Sequence, residues 1–191
     1  MSDIWRQRWL VIIAAPFLTS FLVRVYSWRI LLQEEGWLAS ILRATQLLPD
    51  GSSLLYNQGA VVLVMIYTYL PLAILPIYAA MNRFDMSLYE AARDLGAGRW
   101  AAFFKVVLPN INRGIFAAAL SVGVPSLGAY VIPEMIGGLG SETIGSVIAH
   151  KLFTDRNLPQ AAVLASLLGL LALPLVMLAF RGERARAMVD S

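Results

Sequence analysis

The chain has 191 residues, of which 59% are hydrophobic and 14% are charged, and its net charge is +3. Soluble domains usually carry about 25% charged residues, so the composition favours a membrane protein and argues against an ordinary soluble domain. The sequence contains no cysteine, which excludes disulfides and thiolate metal sites.

Four apolar segments are candidates to cross a bilayer, which requires about 20 residues in a helix. The segment nearest the N-terminus, Trp9–Val23, is short, and it extends toward Leu32 if Arg24 and Arg29 reach the far interface. The other three are long enough as they stand: Ala60–Met81, Gly114–Pro133 and Ala161–Phe180. The sequence therefore predicts an all-α, polytopic transmembrane bundle of about four spans.

Positive charge is distributed unevenly among the connections between these segments. Ten of the fifteen basic residues lie before the first segment, between the second and third, or after the fourth: Arg6, Arg8, Arg83, Arg93, Arg99, Lys105, Arg113, Arg181, Arg184 and Arg186. Because loops rich in Lys and Arg stay in the cytoplasm, both termini and the 82–113 connection are predicted to be cytoplasmic. The stretch "AAPFLTSF" offers no clean cleavage site, so we expect the first span to be retained.

Helices are also predicted in the two connections on the opposite side. Apolar residues recur there at helical spacing: Trp37, Leu38, Ile41, Leu42 and Leu48 in the first, and Ile144, Val147, Ile148 and Leu152 in the second. The sequence leaves open whether these helices lie at the membrane interface or are ordinary loop helices.

A short polar unit, Ser87–Pro109, lies between the second and third spans. Ser87 precedes Glu90 by three residues, which is the spacing of a capping box at the start of a helix. Gly96 tolerates the left-handed geometry that ends many helices. Between these two signals runs an apolar stripe of Leu88, Ala91, Ala92 and Leu95. These signals predict a short amphipathic helix that ends at Gly96.

A second amphipathic helix is predicted after Gly96. Pro109 is expected to end it, because the residue before a proline disfavours helical geometry. Its apolar residues follow the same helical spacing: Trp100, Phe103, Phe104 and Val107. Helices this short need a surface to pack against, and the sequence leaves open whether that surface is a partner protein or the rest of the bundle.

The spacing of this unit resembles the EAA loop of bacterial ABC importer permeases. The family pattern, E-A-A-x3-G-x9-I-x-L-P, is matched, with valine in the isoleucine position, by Glu90, Ala91, Ala92, Gly96, Val106, Leu108 and Pro109. Three other stretches are similar to the spermidine/putrescine branch of the family: "PFLTSFLVRVYSW", "LPLAILPIYAAMNRFD" and "PSLGAYVIPEMIGG". The resemblance covers nearly the whole chain.

The resemblance implies a transport subunit of the bacterial inner membrane and not an enzyme. Such permeases work in pairs, receive solute from a periplasmic binding protein, and couple to a cytoplasmic ATPase through the EAA loop. ATP is then expected on the partner ATPase, with no cofactor or metal held by this chain. The implied coupling residues are Glu90, Ala91, Ala92, Gly96, Leu108 and Pro109. Family members usually have six spans, so residues 1–191 are expected to form a transmembrane domain that lacks the first two.

The expected cargo is a polyamine such as spermidine or putrescine. Iron, thiamine or another solute stays open, as does a membrane scaffold or channel subunit whose polar unit only packs on its own bundle. Polyamine ammonium groups favour acidic and aromatic contacts, and Glu134 and Tyr130 lie at the predicted outer end of the third span. A role for Glu134 as a simple boundary residue is the alternative.

Three other kinds of site are disfavoured. The glycine-rich stretch Gly137–Gly145 lacks a GK[ST] sequence and follows a span, not a strand, which argues against a phosphate cradle. His150 is the only histidine, which argues against zinc. The unit between Ser87 and Arg113 has only four basic residues and is tied to the membrane at both ends, which argues against nucleic acid.

Overall fold

The structure is a computed structural model that describes residues 8, 19–46, 49 and 53–187. Over these residues the regular secondary structure is entirely helical, which confirms the predicted all-α class. The helices are α1 (Phe21–Leu32), α2 (Trp37–Ala44), α3 (Gln58–Asn82), α4 (Met86–Asp94), α5 (Arg99–Ala102), α6 (Leu108–Leu127), α7 (Val131–Ile136), α8 (Ile144–Phe153) and α9 (Leu158–Ala187). A π-helical turn, Phe103–Val107, joins α5 to α6.

Two helices in the described part of the chain are long and apolar enough to cross a membrane: α3 and the continuous helix Arg99–Leu127. Helix α3 covers the predicted span Ala60–Met81, and α9 covers the predicted span Ala161–Phe180. The predicted span Trp9–Val23 lies mostly outside the described residues. The total of about four spans, and the sidedness inferred from charge, stay predictions.

The third predicted span, Gly114–Pro133, runs past the end of its helix, so its C-terminal bound is wrong. Its helix starts at Arg99 and ends at Leu127, and Pro133 belongs to the separate helix α7. Just beyond this end, the Ala129 carbonyl accepts a hydrogen bond from the Thr143 hydroxyl, which ties the chain to the start of α8.

The described residues fall into two compact units, and the first lies within Met1–Pro71 and Pro125–Gly169. Helices α1 and α7 supply its core together with residues 55–64, through Val25, Leu32, Leu55, Ala60, Val61, Val64, Ile132 and Ile136. The ring of Trp28 meets Tyr67 edge-on, with centroids 5.2 Å apart. Helices α2 and α8 confirm the two helices predicted in the outer connections, although Leu48 lies outside the described residues.

The second unit lies within Leu72–Val124 and Leu170–Ser191, and it contains the polar unit between the spans. In it, α6 crosses the end of α3 with no room for a side chain at Gly114. A Cβ placed there would collide with the Ala80 side chain and lie 3.0 Å from the Pro76 carbonyl oxygen. Small residues at a crossing let two helix backbones approach closely. The segment that contains α4 and α5 connects the two helices that meet at this crossing.

Candidate functional site

Residues 85–109 form the candidate coupling loop, and the N-cap of its first helix, α4, lies two residues before the predicted cap. Asp85 is the N-cap, and its Oδ1 accepts a hydrogen bond from the Ser87 N–H at 2.9 Å. The predicted capping box of Ser87 with Glu90 is therefore wrong. The chain turns at once after α3, so the short carboxylate of Asp85 is the first acceptor to reach the free N–H groups of α4.

The carboxylate of Asp85 gives α4 a pH dependence of known sign. Hydrogen bonds with Ser87 hold the pKa of Asp85 below its usual value of 3.8. A lowered folded-state pKa means that the carboxylate stabilises the helix at neutral pH. This contribution is lost as the pH falls from the unfolded value through the lowered folded value.

We therefore expect Asp85→Ala to fray the first turn of α4 at neutral pH, whereas Asp85→Asn keeps an acceptor and removes the titration. Amide hydrogen exchange at Ser87 and Leu88 measures the fraying. In the unmodified protein, protection of these amides should fall below about pH 4 after correction for intrinsic exchange. The same pH profile in Asp85→Asn would contradict this assignment of the cap.

Gly96 ends α4 in the left-handed geometry that the sequence predicts, with φ at +87°. The Ala97 N–H donates to the Ala92 carbonyl and the Gly96 N–H donates to the Arg93 carbonyl, each at 3.0 Å. Together these bonds form a complete Schellman motif. A Cβ at Gly96 would meet nothing within 4 Å, so the backbone dihedral, and not crowding, is what requires glycine here.

The predicted EAA residues lie on a helix that buries none of its side chains. Glu90 and Ala91 are exposed and Ala92 is half-buried. The Arg93 guanidinium donates to the Ala97 carbonyl at 2.9 Å, which ties the end of α4 to the turn. Within the described ranges no hydrogen bond or ion pair involves the Glu90 carboxylate. Asp85, and not Glu90, therefore supplies the side-chain cap of α4.

The second helix of the loop does not end at Pro109, so that prediction is wrong. Pro109 follows a π turn that closes where the Leu108 N–H donates to the Phe103 carbonyl, and the helix continues to Leu127. A proline has no N–H to donate and its ring needs space in the preceding turn. The wider π turn provides that space, so the coupling loop joins α6 without a break.

Aromatic and apolar side chains cover the outside of the coupling loop. Trp100 is 74% exposed and Phe104 is 56% exposed, and their rings stack with centroids 6.1 Å apart. Leu95, at the turn, is 89% exposed, and Leu88 is also exposed. Exposed apolar residues clustered on one small unit are typical of a surface that contacts another protein or a membrane.

A groove of about 470 Å³ lies beside this surface. It is lined by Met81, Phe84, Met86, Tyr89, Arg99, Trp100, Phe103 and Val107. Sequence reasoning missed the contributions of Met81, Phe84 and Met86. Their clustering at the end of an apolar span was a visible signal, but only the turn after α3 brings them beside the second helix.

The two predicted substrate-path residues sit at the start of α7. Tyr130 is the N-cap residue, and its carbonyl accepts from the Glu134 N–H at 3.0 Å. Both residues are exposed. Glu134 lines a polar cavity of about 360 Å³ together with Glu142, His150 and Lys151, whereas Tyr130 is not part of its lining.

Asp155 pairs with the two basic residues that line this cavity, His150 and Lys151. The Lys151 ammonium donates to the Asp155 carboxylate at 2.7 Å, and His150 Nδ1 lies 3.7 Å from it. The hydrogen bond from Lys151 holds the pKa of Asp155 below its usual value. In the part of the chain that the structure describes, no group of three or more His, Cys, Asp or Glu residues could hold a metal ion.

The family of the chain follows from comparison with known proteins. Residues 3–182 match the family described as binding-protein-dependent transport system inner membrane component. The chain belongs to this family of ABC transporter permease components, which confirms the resemblance carried by the EAA spacing.

Three relatives illustrate the match. The chain is 32% identical over 180 residues to the spermidine/putrescine transport system permease protein PotB of Haemophilus influenzae, covering 94% of this chain and 63% of the relative. It is 31% identical over 153 residues to PotB of Escherichia coli, covering 80% and 56%. It is 32% identical over 163 residues to the E. coli inner membrane ABC transporter permease protein YdcU, covering 80% and 52%. The chain thus spans between about half and two-thirds of each relative.

Proposed function

We propose that this chain is the membrane-spanning subunit of an ATP-driven importer and that a cytoplasmic ATPase docks on its coupling loop. The observation that carries the proposal is the exposed aromatic surface on a helix–turn–helix continuous with α6. An ordinary connector would turn its apolar side chains toward its own bundle. Helix α4 instead buries none of its residues.

The chemistry of this surface suits a protein partner. Trp100 and Phe104 supply large, rigid contact area of the kind that dominates binding energy at interfaces. Arg99 lines the same groove as Trp100 and Phe103 and places positive charge beside them, so the proposed groove on the ATPase is apolar with an acidic rim. Ala91 lets the partner backbone approach closely, and Glu90 is free to accept hydrogen bonds from it.

The full set of coupling residues that we propose is Glu90, Ala91, Ala92, Gly96, Leu108 and Pro109. The geometry supports different roles for Gly96 and for the pair Leu108 and Pro109. Gly96 fixes the bend between α4 and α5 through the Schellman motif, whereas Leu108 and Pro109 lie where the loop enters α6. ATP binding on the partner is proposed to move this unit as one rigid body.

Trp100→Ala tests the docking surface. Truncating a central aromatic residue of an interface typically costs about 2 kcal/mol or more, equivalent to about a 30-fold weaker association. We expect this loss in the affinity of the ATPase for the permease in detergent or nanodiscs, together with a matching loss of solute uptake. Phe153→Ala is the matched control, because Phe153 is similarly exposed, at 69%, but lies in α8. Equal affinity for Trp100→Ala and the unmodified chain would exclude Trp100 from the interface.

The proposed cargo is a polyamine, taken up from the periplasm through a pair of permease subunits fed by a binding protein. The names of the two PotB relatives support this choice. Glu134 and Tyr130 are proposed contacts for its ammonium groups at the periplasmic side, with both termini of the chain in the cytoplasm.

Uptake of labelled spermidine in a transport-deficient strain, with putrescine, iron and thiamine as competitors, tests the cargo. Failure of the chain to recruit any ATPase would instead favour a scaffold or channel subunit.

A further inference from the structure

The π turn between α5 and α6 contains one residue more than an α-helical turn would hold. Its closing bond runs from the Leu108 N–H to the carbonyl of Phe103, five residues earlier. The flanking segments α5 and α6 are regular α-helix. The helix Arg99–Leu127 therefore carries a single local insertion, and such π turns occur frequently at functional sites.

Two residues on the C-terminal side of this insertion, Pro109 and Asn110, bear on its stability. Pro109 has no N–H, and in a regular α-helix its ring would meet the carbonyl of Lys105, four residues earlier. The Asn110 side chain donates from Nδ2 to the Val106 carbonyl at 2.7 Å. Both groups favour the wide turn over a regular one, the first by removing a donor and the second by satisfying an acceptor.

The insertion sets the rotational position of the docking surface relative to the span. One residue of α-helix corresponds to about 100° of rotation and 1.5 Å of rise. With the π turn in place, Ala102 and Val107 are buried while Trp100 and Phe104 are exposed. Without it, the position of Ala102 would pass to Phe103, and the aromatic side chains would turn by about 100°.

We infer that Pro109 and Asn110 are positioning residues that pin the π turn and thereby aim Trp100 and Phe104 at the partner. The inference about aim rests on the proposed docking function. The inference about rotation is a property of this chain alone and is tested separately.

The test uses the absence of cysteine from the sequence. Single cysteines are introduced at Ala102 and Phe103 in the full chain, and their reaction with a water-soluble maleimide is timed in permeabilised membranes. In the otherwise unmodified chain, Ala102→Cys should react slowly, because a buried thiol reacts only when the structure opens. Combining it with Pro109→Ala and Asn110→Ala should raise its rate about tenfold or more, and Phe103→Cys should slow in the same background.

A one-residue deletion separates a change in rotation from simple unfolding. Removing Lys105 from the Pro109→Ala, Asn110→Ala background gives a regular helix in which Ala102 returns to its buried position, so protection should return. Asn112→Ala is the matched control, because Asn112 is exposed two residues further along the same helix. Unchanged protection of Ala102→Cys in the double variant, or no recovery on deletion of Lys105, would overturn the inference.

Transport and ATPase binding are read in the same variants. Weaker ATPase binding in the double variant and recovery with the Lys105 deletion support both the rotation and the docking function. A shift in labelling with unchanged ATPase binding supports the rotation and overturns the proposed docking surface. The two failures are therefore distinguishable.

Discussion

Gly96→Val should uncouple ATP hydrolysis from transport while leaving membrane insertion intact. Gly96 has φ at +87°, and an L-residue forced into this left-handed region costs about 1–2 kcal/mol, with more expected for a β-branched side chain. Relief of this strain breaks the Schellman motif and changes the angle between α4 and α5. In proteoliposomes with the ATPase and binding protein, we expect ATP hydrolysis to persist while solute transported per ATP falls.

Gly98→Val is the matched control for Gly96→Val. Gly98 lies two residues further on with φ −63° and ψ 158°, and a Cβ there would meet nothing within 4 Å. This extended geometry suits a β-branched residue. Coupling should therefore be nearly unchanged. Equal effects at the two glycines would mean that bulk, and not the left-handed bend, is what the loop cannot tolerate.

Gly114→Val should have the largest effect on folding of any single change considered for this chain. The added side chain would collide with Ala80 and crowd the Pro76 carbonyl where α6 crosses the end of α3. Overpacking of this kind typically costs about 1–3 kcal/mol, and backbone on one side of the contact leaves little room to adjust. We expect a lower yield of folded protein and a lower midpoint of thermal unfolding in detergent.

The control for this change is Gly123→Val in the same helix, where a Cβ would meet nothing within 4 Å. Both variants carry the same loss of glycine and the same gain of a branched side chain, so intrinsic helix propensity cancels between them. A yield as low for Gly123→Val as for Gly114→Val would remove the crossing from the explanation.

The features that the sequence predicts well are those determined locally. The uninterrupted apolar run of Ala60–Met81 is long enough to cross a bilayer whatever its neighbours are, and α3 covers it. Gly96 is similar, since the need for a left-handed residue after an amphipathic stripe is a property of the chain itself. The EAA spacing likewise identified the family from a local pattern, and the assignment of its residues to coupling stays a prediction.

The errors arise where a distant group or a competing residue decides the outcome. Ser87 has good capping chemistry, but Asp85 lies closer to the turn after α3 and takes the N–H first. Proline usually breaks a helix. At Pro109 the helix continues because the π turn before it provides space for the ring. The third predicted span runs past Leu127, where its helix ends, and the Ala129 carbonyl beyond it bonds to Thr143, fourteen residues away, a contact that no local pattern reveals.

The groove beside Trp100 shows the same limit. Its lining combines the end of α3 with α4 and the start of the second helix, and these residues are separated by up to 26 positions, from Met81 to Val107. Helical periodicity assigns each residue to a face of its own helix, but it does not say which faces meet. The groove therefore became visible only with the turn at residues 83–85 in place.

The exposure of Trp100 and Leu95 also has a consequence for how fast the unassembled subunit is degraded. Under the proposed docking and sidedness, a copy synthesised without an ATPase would present a bulky indole and an isolated leucyl group to the cytosol, where chaperones and proteases recognise unburied hydrophobic groups. Surplus copies should consequently be degraded faster than complexed ones, and co-expression of the motor subunit should lengthen their half-life. In this way the same patch would keep the stoichiometry of the transporter in balance.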